Sequence, residues 1–416
     1  MTGSLNLRLV VSLSVLFAAF FLAGSFARSL APSPHEWVTR EYEEYLRLHT
    51  NEDGETVLQA WLQGLGATEG LAERVLSKQW VDMKGIDRRR FVQALGNSLR
   101  DGLARKLSEI DSRGAPRMEL REARPQAGGA QLTYELSGDR ASFTVTLSLA
   151  FRERGWELVD LLWKGGGLLR YYRDLSRNAL RRYSMPVLVE ELAGEGFIVL
   201  EDFEDNEVGA FPDDWDWRGW GKVEDKPYRV VEESGNRFLR AEDTGENVVL
   251  TKAFRWNIKK YPYVSWRWRI RAVPGGGDER HEELADSAAG IYLTYRKKLW
   301  LLPEMIKFVW SSKLPVGSAF RRSGMGMPWT VVAGSGRPRP SEWRTFVFNA
   351  FESYRETFGG DPGERPLGMG ILSDANDTGG KAFADYDDII IMRHAPSPAR
   401  IREILTLEQG KKSESR

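Results

Sequence analysis

The hydrophobic pattern of the chain changes its period across residues 156–192. Residues Trp156–Trp163 alternate with a period of two, which predicts a β-strand that is covered on both sides or lines a cavity on one. One predicted face comprises Trp156, Leu158, Asp160 and Leu162, and the other comprises Glu157, Val159, Leu161 and Trp163. Gly165–Gly167 is expected to stop the hydrogen-bonded ladder and to let the backbone turn. Apolar residues then recur at helical spacing from Leu168 to Tyr183, and Pro186 breaks or restarts the helix.

The region before this segment reads as helices followed by strands. The periodicity predicts helices at His35–His49, Thr56–Gly64, Leu71–Trp80 and Ile86–Ile110, and then strands at Met118–Ala123, Gln131–Ser137 and Ala141–Phe151. The last of these strands has one core face, formed by Phe143, Val145, Leu147, Leu149 and Phe151. This order predicts an α+β N-terminal domain with a four-stranded antiparallel sheet.

The second half of the chain is rich in short strands. The density of strands and turns after Gly194-Glu195-Gly196 predicts an all-β sandwich with a jelly-roll-like arrangement. Within Tyr263–Arg271, tryptophans and aliphatic residues alternate with arginines, so one face is expected to lie in the core. The predicted organisation is a leader at 1–27, an α+β domain at 28–195, a β-sandwich at 196–395 and a polar tail at 396–416.

The first segment predicts export. Arg8 precedes an apolar run, Leu9–Ala27, that ends in Ser25-Phe26-Ala27, a pattern typical of a secretory signal peptide cleaved after Ala27. The alternative is an uncleaved anchor in the inner membrane, because the run is nearly long enough to span a bilayer. Either reading places the remaining chain in the periplasm.

Composition and motifs argue against several functional classes. The 416-residue chain has 59 Lys+Arg and 59 Asp+Glu, so no excess of positive charge indicates a nucleic-acid partner. There is no cysteine, which excludes disulfides and thiolate chemistry. The four histidines, His35, His49, His281 and His394, show no zinc-binding spacing. We therefore expect no enzymatic activity, and a glycosidase with paired carboxylates is the alternative left open.

Residues of the N-terminal half resemble the soluble phospholipid-binding component of bacterial Mla-type (toluene-tolerance) ABC transport systems. The resemblance rests on Gln79-Trp80, Arg88–Leu107, Asp160, Gly165 and Tyr172-Arg173, and it covers residues 36–195. It implies a curved sheet and helices that close a deep apolar cavity. It also implies a bound phospholipid, membrane-bound transport components as partners and a role in outer-membrane maintenance.

The resemblance and the apolar pattern together suggest a lipid site. Acyl chains need a dry pocket, which stabilises the complex by about 0.8 kcal/mol per buried methylene, and the phosphate needs Arg or backbone N–H groups at the mouth. The predicted lipid-binding residues are Phe91, Leu95, Phe143, Val145, Leu147, Leu158, Tyr172 and Arg173, with Arg170 as a second headgroup candidate. The alternative is that the apolar residues are ordinary core and that Asp160 forms a structural salt bridge with Arg173.

The C-terminal half is similar to an uncharacterised bacterial domain family. The residues that carry the similarity include Phe203-Glu204, Phe211-Pro212, Trp266-Arg267-Trp268 and Tyr386–Ile389. Its opening segment, FEDNEVGAFPDDW, also looks like the start of carbohydrate-binding jelly rolls. We therefore consider a glycan as a second ligand class, with stacking expected at Trp215, Trp217 and Trp220.

No cofactor is expected, although a structural calcium ion is conceivable in two places. Asp374–Thr378 spaces oxygen ligands as some calcium loops do, but an Asx-rich turn explains the same pattern. Glu204 and Asp388 occupy the positions where carbohydrate-type jelly rolls carry such an ion. The sequence thus predicts a non-catalytic exported lipid carrier with a C-terminal binding module, and an envelope glycan-binding or glycan-processing protein is the alternative.

Overall fold

The computed structural model describes residues 32–49, 67–110, 117–138, 141–153, 155–163, 166–218, 222, 225–298, 302–337, 339 and 341–413. The chain divides into two compact units, the first ending at Ser176 and the second beginning at Arg177. The predicted leader at 1–27 and the predicted helix Thr56–Gly64 lie outside the described residues. Among the described helices, none combines the length and apolar composition that crossing a bilayer requires.

The first unit begins with helices, as the periodicity predicts. They are α1 (Pro34–His49), α2 (Ala67–Leu76), α3 (Lys78–Asp82) and α4 (Gly85–Ile110). Helix α4 packs against α2, and α2 packs against the last long strand of the sheet. A fifth helix, α5 (Leu168–Leu180), follows the sheet and contains the division between the two units.

The N-terminal sheet is antiparallel, and its strands lie in the order in which they occur in the chain. The strands are β1 (Arg117–Gln126), β2 (Gly129–Ser137), β3 (Ser142–Arg152), β4 (Gly155–Trp163) and β5 (Gly166–Gly167). A group of helices followed by an antiparallel sheet is therefore confirmed, whereas the predicted helix Thr56–Gly64 is not tested. The glycines do not end the ladder as predicted, because Gly166 and Gly167 pair with Trp163 and Leu162 as a short fifth strand.

The two predicted faces of β4 are wrong in one respect. Ser148 pairs with Asp160, but the next residue of β3, Leu149, pairs with Leu158, so Val159 is an extra residue at a β-bulge. The bulge shifts the alternation, and Leu158 and Leu161 become the two buried residues of the strand. They join β2 and β3 residues in a core beneath helix α1, which comprises Trp37, Val38, Leu132, Tyr134, Val145, Leu147, Leu149, Leu158 and Leu161.

The second unit is rich in strands, as predicted. After helix α6 (Met185–Ala193) come β6 (Phe197–Glu201), β7 (Asp216–Arg218), β8 (Tyr228–Glu233), β9 (Asn236–Asp243), β10 (Val249–Ala253), β11 (Tyr263–Ala272), β12 (Ser287–Lys298) and β13 (Leu302–Ser311). The remaining elements are β14 (Ala319–Arg321), β15 (Trp329–Ser335), β16 (Trp343–Asn349), α7 (Ala350–Phe358), β17 (Gly368–Asp374), β18 (Ala382–Met392) and α8 (Pro398–Ser413). The sequence did not predict β7, β14 or α7.

These strands form two sheets around one core. The seven-stranded sheet has the order β14-β15-β13-β12-β17-β10-β7, and in the six-stranded sheet β6 joins β16-β11-β18-β9-β8 through β18. Trp266 and Trp268 of β11 are 1% and 0% exposed and lie in the same apolar cluster as Ile291 and Phe308 of the opposite sheet. The expectation that these two tryptophans are core residues is confirmed.

The outer face of the six-stranded sheet is charged and internally paired. Asp385 of β18 is fully buried and accepts hydrogen bonds from Arg240 Nε at 2.9 Å and Arg269 Nε at 2.8 Å. Asp387 accepts from Arg267 at 2.5 Å. Trp343 covers this row, since the guanidinium carbons of Arg267 and Arg269 lie 4.7 and 4.8 Å from its ring centroid. The arginines of β11 are therefore held in a network that joins three strands.

The predicted polar C-terminal tail contains a helix. Helix α8 buries Ile404 against Phe197, Ile390 and Met392 at the six-stranded sheet. Ile401 is also buried. The helix runs through Gly410 to Ser413.

Candidate functional site

Asp160 fixes the start of helix α5. Its Oδ1 accepts hydrogen bonds from the N–H groups of Leu161 at 2.8 Å and Leu169 at 2.9 Å. A Cβ at Gly167 would lie 2.5 Å from Asp160 Oδ2, so the close approach of this turn to the carboxylate requires glycine. Asp160 therefore satisfies a free N–H group in the first turn of the helix. The suggested salt bridge between Asp160 and Arg173 is wrong.

We expect Asp160→Ala to lower the free energy of unfolding by about 1 kcal/mol, because two N–H groups lose their acceptor. Asp160→Asn keeps a side-chain oxygen and is the matched control, with a smaller expected loss. Urea unfolding followed by circular dichroism measures both. Equal losses in the two variants would show that the carboxylate charge, and not hydrogen bonding to the helix start, sets the effect.

Tyr172 and Arg173 attach helix α5 to other helices. The buried Tyr172 hydroxyl lies 3.1 Å from Ser98 Oγ on α4, and burial raises the pKa of Tyr172 above its ordinary value. Arg173 donates to the backbone oxygen of Arg74 on α2 at 3.0 Å, and its Nε is buried without a hydrogen-bond partner. Arg170 is exposed. In this conformation Arg173 is therefore engaged at a helix end, and its role toward a headgroup stays a prediction.

The structure places the predicted apolar lining on three elements, helix α4 and strands β3 and β4. Phe91 and Leu95 are fully buried on helix α4. Val145, Leu147 and Leu158 lie together in the core beneath α1, and the partly buried Phe143 packs at its margin with its ring centroid 3.6 Å from that of Trp163. Their role as a lipid lining stays a prediction.

A cleft of about 1290 Å³ opens beside these residues. It lies between α2, α3, α4 and the turn that joins β3 to β4, and all of its lining belongs to the first unit. Its apolar wall is formed by Trp80, Val92, Phe151 and Trp156. Helix α4 also contributes Gln93, Gly96 and Asn97 to this wall, so it contacts the cleft on one side and buries Phe91 and Leu95 on another. Sequence reasoning missed this cleft, because it depends on the packing of α2 against β4.

The polar lining of the cleft is balanced in charge. It includes four arginines and four glutamates: Arg88, Arg89, Arg100, Arg152, Glu69, Glu73, Glu153 and Glu157. Arg88 donates to the backbone oxygens of Trp80 and Val81 at 2.9 and 2.8 Å, so it caps the end of α3. Arg89 is exposed at the rim. The arginines of the cleft could therefore bind a phosphate group, although the four glutamates balance their charge.

Two of the three proposed stacking tryptophans, Trp215 and Trp217, are not exposed platforms. Trp215 is 4% exposed, lies in the sandwich core and donates its indole N–H to Glu201 at 2.9 Å. Trp217 is partly buried against the same core, and Trp220 lies outside the described residues. Trp215 is thus a packing residue, because it fills the space between sheets and not a surface groove.

The segment Asp374–Thr378 is tied down by hydrogen bonds. Asp286 accepts from the N–H groups of Asp377 and Thr378 at 3.0 and 2.8 Å, and Asp377 accepts from Ala285 N–H at 3.2 Å. Among the described residues, no group of three or more His, Asp or Glu side chains is arranged to hold a metal ion. These bonds favour the Asx-turn reading of the segment, and a calcium ion there stays untested.

Asp374 gives this region a pH dependence. The carboxyl is buried, its Oδ1 lacks a hydrogen-bond partner, and desolvation raises its pKa to about 6 while Lys307 opposes the rise. A carboxyl whose pKa is higher in the folded than in the unfolded state stabilises the fold fully at a pH below the unfolded-state pKa. This stabilisation is lost as the pH rises through the folded-state pKa of about 6. We expect wild type to lose about 2 kcal/mol of unfolding free energy from pH 4 to pH 7 that Asp374→Asn does not lose.

Urea unfolding across this pH range measures the difference between the two proteins. Repeating it with calcium and with a chelator tests the metal reading, since a bound ion would hold Asp374 ionised. A calcium-dependent rise in stability at pH 7 would contradict the turn interpretation.

Each half of the chain is similar to a different protein family. Residues 55–194 match the sequence model of the MlaC protein family, and residues 213–390 match a family described as a protein of unknown function, DUF3047. A search of the curated proteins finds no match to this chain. The two-part resemblance predicted from the sequence is therefore confirmed.

Three solved structures are similar to this chain at low identity. A phospholipid-binding protein from Ralstonia solanacearum, solved in complex with a phospholipid, is 11% identical, with a TM-score of 0.32 over 39% of this chain and 96% of that chain. A family 30 carbohydrate-binding module of a cellulosomal cellulase from Clostridium thermocellum is 14% identical, with a TM-score of 0.27 over 48% of this chain and 99% of that chain. A family 12 xyloglucanase from Bacillus licheniformis is 7% identical, with a TM-score of 0.26 over 48% and 94%.

Proposed function

We propose that this protein, whose residues 55–194 resemble MlaC, is an exported, non-catalytic phospholipid carrier. The observation that supports the proposal is the cleft in the MlaC-like region, whose volume of about 1290 Å³ exceeds the ~300–1,000 Å³ of ordinary small-molecule pockets. The protein would work in the periplasm, with membrane-bound components of an Mla-like system as its partners. The C-terminal sandwich would serve as a binding module.

The position of the cleft relates it to the predicted lipid-binding residues. Val92 lines the cleft next to the buried Phe91, and Trp156 lies two residues before the buried Leu158. A phospholipid that enters at the cleft would place its phosphate near Arg89 and direct its chains between helix α4 and the strands. Each methylene removed from water would stabilise the complex by about 0.8 kcal/mol. Phe91, Leu95, Phe143, Val145, Leu147 and Leu158 would then separate to receive the chains.

Transfer of a fluorescent phospholipid tests this function. The full chain is mixed with vesicles that carry a trace of NBD-labelled phosphatidylglycerol, and the protein is then separated from the vesicles by flotation. We expect the dye to move into the protein fraction with a blue-shifted emission, because the chains enter an apolar site. Absence of transfer, together with binding of a soluble oligosaccharide such as cellohexaose, would favour the envelope glycan-binding alternative.

A further inference from the structure

One edge of the C-terminal sandwich brings together chain segments that are distant in sequence. Strand β12 ends and β13 begins here, with Lys298 paired to Leu302. The hairpin of β14 and β15 turns at residues 322–328, and because β15 runs parallel to β13, with Trp329 beside Ile306, this turn lies next to the start of β13. A Cβ at Gly326 would lie 3.7 Å from a methyl carbon of Leu302, which confirms the contact.

The start of β17 reaches the same edge. Leu367 donates its N–H to the backbone oxygen of Thr294 at 2.8 Å, and Gly368 pairs with Thr294. Residues 296–298, 302–304, 321–327 and 365–367 therefore form one surface, named the basic edge. Among the side chains that the structure describes here, four are arginines (Arg296, Arg321, Arg322 and Arg365) and one is acidic, Glu304. Glu304 is buried and paired with Arg296 at 2.6 Å, which leaves Arg321, Arg322 and Arg365 as the other cations of the edge.

Apolar side chains protrude from this edge between the cations. Met325 is 84% exposed at the tip of the β14–β15 turn, and Leu367 is 37% exposed. Arg321 donates its Nε–H to the backbone oxygen of Met327 at 2.9 Å, which closes the turn and holds Met325 outward. An exposed large apolar residue on a pinned turn, flanked by arginines, is not explained by packing within the fold.

The opposite edge of the sandwich has the reverse charge. Strand β12 begins there and β17 ends there, since Ser287 pairs with Asp374. At this edge, residues 278–286 and 374–381 together with Lys313 contain seven acidic residues, Asp278, Glu279, Glu282, Glu283, Asp286, Asp374 and Asp377, and three basic residues, Arg280, Lys313 and Lys381, of which Lys313 pairs with Asp278 at 3.3 Å. The sandwich is thus polarised from one edge to the other, although the whole chain has no net charge. Such a polarity orients the basic edge toward a negatively charged surface.

We propose that the basic edge docks the C-terminal sandwich on an anionic phospholipid bilayer, with Met325 and Leu367 inserted among the headgroups. The arginines contact lipid phosphates, and the side chains of Met325 and Leu367 move from water into the interfacial region of the bilayer. This attachment would hold the protein at the membrane surface from which a lipid is taken or to which it is delivered. It does not depend on whether the N-terminal cleft binds lipid.

A site-specific probe tests the docking orientation. Because the chain has no cysteine, Met325→Cys and Asn376→Cys each provide a unique position for an environment-sensitive NBD dye, the second at the acidic edge. The full chain is mixed with vesicles of phosphatidylglycerol and phosphatidylethanolamine, and separately with neutral phosphatidylcholine vesicles. We expect a blue shift only for the dye at Met325 with anionic vesicles, and its loss at high salt. No shift at Met325, or equal shifts at both positions, would overturn the proposal.

Charge reversal provides the second measurement. Each cation at an anionic surface strengthens binding by about fivefold, so replacing two of them in Arg322→Glu combined with Arg365→Glu is expected to weaken vesicle binding, read from the Met325 dye, by about 25-fold or more. Lys381→Glu, an exposed residue in the turn between β17 and β18, makes the same kind of change at the opposite edge and should leave the response unchanged. The apolar segment Leu9–Ala27 is identical in all variants. Equal responses from the double variant and the control would contradict docking through this edge.

Discussion

Asp385→Ala is expected to lower the free energy of unfolding by about 3–5 kcal/mol, the range typical of a buried ion pair that loses one partner. The carboxylate is 0% exposed and accepts hydrogen bonds from Arg240 and Arg269, and Arg271 Nη1 lies 3.6 Å away. Removing it leaves these guanidinium groups partly buried and facing one another. The loss therefore exceeds the stabilisation that any single pair provides.

Urea denaturation measures this effect, and Glu342→Ala is the matched control. Glu342 pairs with Arg344 at 3.2 Å, but both side chains are 44% exposed, so its removal should change stability by less than about 1 kcal/mol. A loss of similar size in the two variants would show that the charged face of the six-stranded sheet is solvated and contributes little.

Filling the cleft is expected to reduce phospholipid transfer at least about tenfold, provided that the cleft is the entry to the lipid site. Gln93 and Asn97 line it from successive turns of α4, and Gln93 is exposed, so Gln93→Trp combined with Asn97→Trp adds bulk without disturbing the buried Phe91 and Leu95. Two indole rings would occupy the space between α4 and the β3–β4 turn. Transfer of NBD-labelled phosphatidylglycerol from vesicles is the measurement.

Glu43→Trp is the control for this block. Glu43 is an exposed residue of helix α1 that does not line the cleft, so the variant adds an indole on the surface and should transfer lipid at the wild-type rate. Wild-type transfer by the double tryptophan variant, with an unchanged melting temperature, would mean that the lipid enters elsewhere.

Local periodicity predicted much of the fold. The alternation of Val264, Trp266, Trp268 and Ile270 with arginines predicted both β11 and its buried face. Successive side chains of a strand point to opposite faces, so a period of two identifies the face that lies in the core. Helix α5 was predicted from its apolar spacing, and its break before Met185 from Pro186. The α+β order followed from these elements without long-range information.

Features that depend on distant partners were not predictable in the same way. The extra residue Val159 in β4 is visible only in the pairing with β3, and it places Leu158 and Leu161 together in the core. The predicted burial of Asp160 suggested an ion pair. In the structure its partner is the backbone N–H of Leu169, and the sequence could not show that this part of the chain turns back toward Asp160. The charged network joins Arg267 to Asp387 across 120 residues, and no local pattern indicates that pairing.

Native mass spectrometry of the purified full-length chain tests the central claim most directly. The account predicts that protein isolated from a cell envelope carries one phospholipid per chain, that the lipid is identified after release in organic solvent, and that the Gln93→Trp and Asn97→Trp double variant is isolated without it. Wild-type protein that is free of lipid as isolated, and that remains free of it after incubation with phospholipid vesicles, would contradict the account.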